Sequence, residues 1–177
     1  MTQSGVTRLV LLRGNSASGK SSVAAAVRER FGRGLAIVGQ DNLRRNVLRE
    51  RDRPGAANIG LIDTVTRYSL DAGYHVVLEG ILYADHYGPM LQRLCEDHRG
   101  RTHCYYLDVD LGETLRRHAT KPQVSEYGEA ELRAWYRSRD LLPGGAESVI
   151  GAASSLIDTT DRIMKETGLA GLPPLEL

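Results

Sequence analysis

Cysteine is scarce in this 177-residue chain, and the two present, Cys95 and Cys104, stand at neither a C-x-x-C nor a zinc-like spacing. That excludes a disulfide-stapled scaffold. Both lie in or beside apolar stretches, as free buried thiols of a reducing compartment do. Excess charge of one sign is missing too, since 23 Lys and Arg against 22 Asp and Glu leave a net +1. A near-neutral chain lacks the bulk electrostatic pull by which proteins capture nucleic acid, so no nucleic-acid partner is expected. Long apolar runs are also absent: Leu9–Leu12 is followed at once by Arg13 and a Gly/Ser stretch. The expectation is no signal peptide, no membrane span and a cytoplasmic protein. No repeat or low-complexity tract interrupts the chain, and no feature specifies an oligomer. Residues 1–177 read as one domain, large enough to bury a core without staples.

What is present is sharper. Gly14-Asn15-Ser16-Ala17-Ser18-Gly19-Lys20-Ser21 fits G-x-x-x-x-G-K-[ST] at every fixed position. Glycines let backbone N–H groups turn inward around phosphate oxygens, the lysine gives a compact charge for the β- and γ-phosphates, and the Ser21 hydroxyl suits Mg²⁺. A helix opening near Gly19 aims its positive dipole end at the same anion, with Ser22 in its first turn. Arg8–Leu12 reads as a buried strand before the loop and Ser22–Phe31 as the helix after it. The ligand implied is a nucleoside triphosphate with Mg²⁺.

Strands and helices alternate along the rest, which predicts a parallel sheet covered on both faces. Strand two is Leu35–Val38, followed by Asp41 as a candidate N-cap of a helix over Asn42–Glu50. A helix from Ala57 to about Gly73 precedes strand three, Tyr74–Leu78, which delivers Glu79-Gly80. A helix over 84–98, strand four at Thr102–Asp108, a helix at Glu113–Ala119, and a helical stretch from Glu129 to about Leu141 follow. Leu156-Ile157 is expected as a short fifth strand and Asp161–Thr167 as the last helix. Ligands of such sheets bind beyond the carboxyl ends of the strands, where the loop, Asp41 and Glu79 converge.

The N-K-x-D guanine-reading segment and the L-S-G-G-Q transporter signature are both missing. What remains resembles the P-loop small-molecule kinases, the broad AAA-type group containing chloramphenicol phosphotransferase, zeta-toxin kinases and gluconate or shikimate kinases. Gly14–Ser21, Val38-Gly39-Gln40-Asp41-Asn42-Leu43-Arg44-Arg45, Leu78-Glu79-Gly80 and Glu113-Thr114-Leu115-Arg116-Arg117-His118 carry the resemblance, which runs from about Thr7 to Gly168. It implies a three-layer α/β fold with a five-stranded parallel sheet ordered 2-3-1-4-5, a helical lid at about 113–140, and phosphoryl transfer from ATP to a hydroxyl.

A kinase needs a carboxylate facing the incoming hydroxyl, and Asp41 at the end of strand two is the candidate; its bland alternative is the helix cap. Glu79 is the candidate partner of Ser21 in holding Mg²⁺, or an acceptor-positioning group, with Asp108 competing for the metal but better suited as a cap. Lys20 and a lid cation, Arg117 first by resemblance, then Arg116 and Lys121, would meet charge on the transferring group; a solvated basic helix face is the alternative. Arg137 and Arg139 are weaker choices for that role. Arg44 and Arg45 either bind an anionic acceptor or pair with Glu50 or Asp52. Tyr83 and His86 are candidates for the acceptor pocket, and Trp135 and Tyr136 for packing or stacking. Related folds place adenine near a loop after strand five, here taken as Asp158–Asp161. The small-molecule acceptor is an antibiotic, nucleoside or sugar-like metabolite; the rival readings are a toxin-like nucleotide-sugar kinase and a nucleotide-dependent binding switch.

Overall fold

The computed structural model describes residues 6–175. β1 (Arg8–Gly14) lies at the centre of the sheet with every residue buried. A parallel strand covered on both faces must be apolar on both, so Leu9-Val10-Leu11-Leu12 is an unbroken run and not an alternation. β3 (His75–Gly80) flanks it on one side and β4 (Arg101–Asp108) on the other. β2 (Leu35–Gly39) lies outside β3 and β5 (Glu147–Gly151) outside β4, giving the all-parallel order β2-β3-β1-β4-β5. The expected order is the one observed.

The two-residue pleat sorts the core into two halves. Val10 and Leu12 face α1 (Lys20–Phe31) and a helix near the C-terminus, packing with Val23, Val27, Phe31, Ile163 and Met164. Leu9 and Leu11 face α2 (Ala57–Asp71) and α3 (Ala84–Asp97), packing with Ile62, Tyr87, Leu91 and Leu94. After β4 come α4 (Leu111–His118) and α5 (Glu129–Trp135), and after β5 comes α6 (Leu156–Glu166). No helix among the described residues is long and apolar enough to cross a membrane.

Four expectations are corrected. Leu156-Ile157 is not a strand: Ser155 accepts from the Asp158 N–H and opens α6 there, leaving Leu156 48% and Ile157 64% exposed. The fifth strand is Glu147–Gly151, whose only fully buried apolar residue is Ile150; a half-wet edge strand carries little apolar signal. Asp41 makes no side-chain cap, and the turn after it, Asn42–Val47, is π-helical. The N-cap of α4 is Asp110, which accepts from the Glu113 N–H, whereas Asp108 ends β4 and faces Arg139 at 3.4 Å. Finally α5 stops at Trp135, well short of Leu141.

The early stop follows from Arg13. This guanidinium, wholly buried at the end of β1, donates through Nε to the Leu82 carbonyl (3.0 Å), through Nη1 to both Glu147 oxygens (2.8 and 3.0 Å) and through Nη2 to Asp140 Oδ2 (3.1 Å). The Leu142 N–H and Ala84 N–H donate to the same two carboxylates, at 2.6 and 2.8 Å. These bonds fix residues 136–147 as an irregular strap across the carboxyl edge of the sheet. Arg13→Met should therefore destabilise the fold by about 3–5 kcal/mol, because it strands a buried Glu147 carboxylate. Arg13→Met with Glu147→Met should recover most of that loss in urea unfolding; equal instability of the double variant would contradict this account.

Candidate active site

The loop between β1 and α1 takes its shape from backbone positions few side chains allow. Gly14 has φ 151°, and a Cβ there would meet the Leu107 carbonyl and Ser18 Oγ at 2.8 Å each. Gly19 has φ 101° and Ala17 φ 59°, so the chain coils tightly enough to hold Lys20 beneath it. Lys20 is 7% exposed, and its ammonium donates to the Asn15 carbonyl (2.7 Å) and to Ser18 Oγ (3.3 Å). Burial lowers its pKa to about 8, against the raising pull of Glu79 and Asp41. Burial disfavours the ammonium, and a negative charge close by restores it.

Glu79 ends β3 beside the loop, and Ser21 Oγ donates to its Oε1 at 3.3 Å. Gly39 faces it across the β2–β3 register, where a Cβ would come within 3.1 Å of that oxygen. Burial raises the Glu79 pKa, with Lys20 opposing. Asp41 stands one strand farther out and is exposed; Arg44 Nη2 donates to its Oδ1 at 3.0 Å, and Arg45 Nε lies 3.5 Å away. Neither arginine pairs with the Glu50 or Asp52 carboxylate; Arg44 Nη1 instead donates to the Glu50 backbone carbonyl (3.0 Å). The Arg45 guanidinium lies over the rings of Tyr127 (5.3 Å) and Trp135 (5.6 Å), joining the turn after β2 to the lid segment.

On the opposite side, a cleft of about 400 Å³ is walled by Ser18, Ser22, Arg117, Lys121, the Gly151–Ser155 turn and Leu156. Arg117 bridges its rim. Its Nη1 donates to the Ser18 carbonyl (3.2 Å), its Nη2 to the Ala152 carbonyl (3.4 Å), and its Nε to Glu113 Oε1 (2.7 Å). Arg116 pairs with Glu113 as well but is turned outward, 76% exposed. Lys121 has its pKa lowered by burial and by the Arg117 charge. The turn beside this cleft is Gly151–Ser155; Asp158–Asp161 is not a loop but lies inside α6, from which Thr159 also lines the cleft.

Three predicted site residues have their polar groups already engaged. Asn15 is 4% exposed; its Nδ2 donates to the Arg137 carbonyl (2.7 Å), and its Oδ1 accepts from the Arg137 N–H (3.0 Å). Only its backbone remains for a phosphate. The Tyr83 hydroxyl donates to the Trp135 carbonyl (2.7 Å), burial raises its pKa to about 12, and the Arg137 guanidinium lies 3.9 Å above its ring. His86 Nδ1 is 3.1 Å from Asp52 Oδ1. These two side chains form one wall beyond the end of β3, on the side of Asp52 and Arg137.

Sequence reasoning missed the frame behind that wall. Gln40 Nε2 donates to Asp52 Oδ2 (3.1 Å) and to the Tyr87 hydroxyl (2.9 Å), which lies 2.8 Å from Asn58 Oδ1. The Gln40 carbonyl oxygen accepts from the Leu82 N–H (2.9 Å), and Arg13 holds the Leu82 carbonyl. Leu82, at φ 46° and wholly buried, is thus pinned from both sides in a left-handed conformation that a leucine avoids. The one signal in the sequence was a polar Gln40 and a charged Arg13 adjoining apolar strands.

The AAA_33 family profile (AAA domain) matches residues 9–142. A search among curated proteins gives no match. Among solved structures, the APS kinase CysC of Mycobacterium tuberculosis, in complex with AMPPNP and APS, superposes with TM-score 0.69 at 19% identity, over 94% of this chain and 99% of that one. The tunicamycin resistance protein of Deinococcus radiodurans gives TM-score 0.65 at 19% identity, over 96% and 99%. A gluconokinase from Sinorhizobium meliloti gives 0.61 at 15%, over 94% and 93%. With a profile match over most of its length and a sheet ordered as in these neighbours, the chain belongs to the AAA_33 family and has the fold of the P-loop small-molecule kinases.

Proposed function

We propose that the protein is an ATP-dependent phosphotransferase that passes the γ-phosphoryl group to a hydroxyl of a small molecule. One observation carries the reading: Lys20, buried beneath the loop, lies within electrostatic reach of two carboxylates, Glu79 and Asp41, at neighbouring strand ends. A nucleotide switch needs the first but has no use for an acceptor carboxylate. The base and ribose would occupy the cleft beside Gly151–Ser155, with Arg117 and Lys121 covering the phosphates. The backbone of Gly14–Ser22 and the Lys20 ammonium would hold the β- and γ-phosphates.

A hydroxyl and a carboxylate 3.3 Å apart are hard oxygen donors, and among the described residues no group of three His, Cys, Asp or Glu side chains forms a cage. Mg²⁺ suits such a partial set, because it keeps waters and takes phosphate oxygens to complete its octahedron. Ser21 and Glu79 would hold it, and the bound ion neutralises charge on the β- and γ-phosphates. In transfer, the acceptor oxygen bonds to the γ-phosphorus as the bond to the β–γ bridging oxygen breaks, and ADP leaves. Asp41 orients the acceptor hydroxyl and takes its proton. Arg44 and Arg45 hold that carboxylate in place.

Lys20→Ala should abolish transfer to any member of a pooled set of nucleosides, sugars and antibiotics, read by mass spectrometry as loss of the one-phosphoryl gain. Retained transfer would refute the role of the loop. Asp41→Asn should leave ATP affinity near wild type and cut transfer by about a hundredfold. Equal loss of ATP affinity would instead make Asp41 a structural or metal-linked group. The pH dependence has a definite sign. Lys20 binds triphosphate as the cation, and in the free protein it loses its proton as pH rises through about 8. ATP binding should therefore take up a proton above that pH, and kcat/KM for ATP should fall there while kcat at saturating ATP holds to higher pH. A flat kcat/KM profile through pH 9 would contradict a lowered Lys20 pKa.

A further inference from the structure

From residue 41 to residue 53 the chain carries Arg44, Arg45, Arg49, Arg51 and Arg53 against Asp41, Glu50 and Asp52. By count this is a mildly basic, solvated loop. The structure divides the charges unequally. Glu50 caps the N-terminus of α2: its Oε1 accepts from the Ala57 N–H (3.0 Å) and its Oε2 from the Asn58 N–H (2.8 Å) and Asn58 Nδ2 (3.0 Å). The bonds from Asn58 hold its carboxyl below the ordinary range and the charge of Arg53 adds to that; among the described residues it is the one carboxylate that shares a cleft with Arg49, Arg51 and Arg53. Asp52 turns inward to Gln40, His86 and Tyr87. Asp41 is taken by Arg44 and Arg45. All three carboxylates are thereby engaged, Glu50 in hydrogen bonds from amide donors alone.

Arg49, Arg51 and Arg53 are left. All three are exposed, and among the described residues no carboxylate forms an ion pair with them. They do not splay over a convex surface but line one cleft of about 520 Å³ together with Leu48, Glu50 and Ala57. Arg49 enters it from a left-handed backbone, φ 51°, a conformation that few non-glycine residues adopt. Arg44 joins this cleft to the acceptor carboxylate, since a single guanidinium donates to the Glu50 carbonyl and to Asp41 Oδ1, each at 3.0 Å. Asp41 and the cleft-lining Glu50 are thus held to the same guanidinium. Guanidinium forks match the oxygen geometry of a phosphate group and shed water readily, which suits them to clamp one.

We propose that the Arg49–Arg51–Arg53 cleft is an anion subsite for the acceptor, so that the molecule phosphorylated at Asp41 already carries a phosphate monoester. This rests on the kinase reading above. The test uses the full chain loaded with AMPPNP, which keeps a phosphate probe out of the Lys20 loop. Ribose 5-phosphate and ribose are titrated in turn while the arginine Nε–Hε resonances are followed, each assigned by a single Arg→Gln variant. Saturable shifts of the Arg49, Arg51 and Arg53 signals with ribose 5-phosphate, and none with ribose, are expected. The triple variant R49Q/R51Q/R53Q, altered only at exposed positions, should bind ribose 5-phosphate at least tenfold more weakly with AMPPNP affinity unchanged. Shifts that rise linearly without saturating, or equal binding by the triple variant, would overturn the subsite. Failure of the wild-type chain to bind AMPPNP would instead sink the kinase reading. In the pooled transfer assay, phosphate monoesters should be preferred over their dephosphorylated counterparts, with the triple variant raising acceptor KM tenfold or more at near-constant kcat. Preference for neutral acceptors with KM untouched by the triple variant would also overturn it.

Discussion

Three segments that meet at the phosphate loop arrive from distant parts of the chain, and one buried guanidinium ties them together. Arg13 is the last charged residue before the loop, and it binds the carbonyl of Leu82 after β3, the carboxylate of Asp140 in the strap and the carboxylate of Glu147 at the start of β5. Burying such a cation is unfavourable unless every donor finds a partner, so once Arg13 lies inside, the positions of those three segments are largely dictated. Glu79 reaches Ser21, and Tyr83 and His86 build their wall, because the segment between them is anchored by its carbonyl.

The site divides along the β1 axis. Toward β4 and β5 the surfaces are backbone carbonyls, small residues and the two cations Arg117 and Lys121, a lining suited to a flat base and its phosphates. Toward β3 and β2 the surface is a lattice of charged and hydrogen-bonded side chains, with Asp41 exposed at its edge. Lys20 lies between the two, its pKa set by burial and corrected by carboxylates of the second side. Electrostatic coupling across the loop thus exists before any ligand arrives.

The central strand, the loop and the strand-end placement of Asp41 and Glu79 were legible because each has a local cause: a continuous apolar run, a glycine pattern, a turn; the strand order came only from the family resemblance. What escaped reading depends on partners far away in sequence. Nothing near Asn15 indicates that its side chain will pair with the backbone of Arg137, and so a residue inside the loop motif read as a ligand contact. β5 was hidden because an edge strand with one buried apolar residue has no period to detect, while the more apolar Leu156-Ile157 pair drew attention and turned out exposed. The division of labour among Arg44 to Arg53 was invisible for the same reason. Which acid faces inward is decided by Gln40, Asn58 and Tyr87, not by the charges themselves.

The pairing of Asn15 with Arg137 also bears on how this chain can vary in length. Its two hydrogen bonds, with those of Arg13 to Asp140 and Glu147, rivet the return path of the lid to the phosphate loop at fixed residues. Adding or deleting a residue between Arg137 and Glu147 would shift one rivet out of register with the other. Between His118 and Gly128, His118 Nε2 lies 2.8 Å from the Tyr127 carbonyl and their rings stack. Length changes should therefore be tolerated poorly between Arg137 and Glu147, where the backbone is held at both ends by buried partners whose spacing along the chain cannot change.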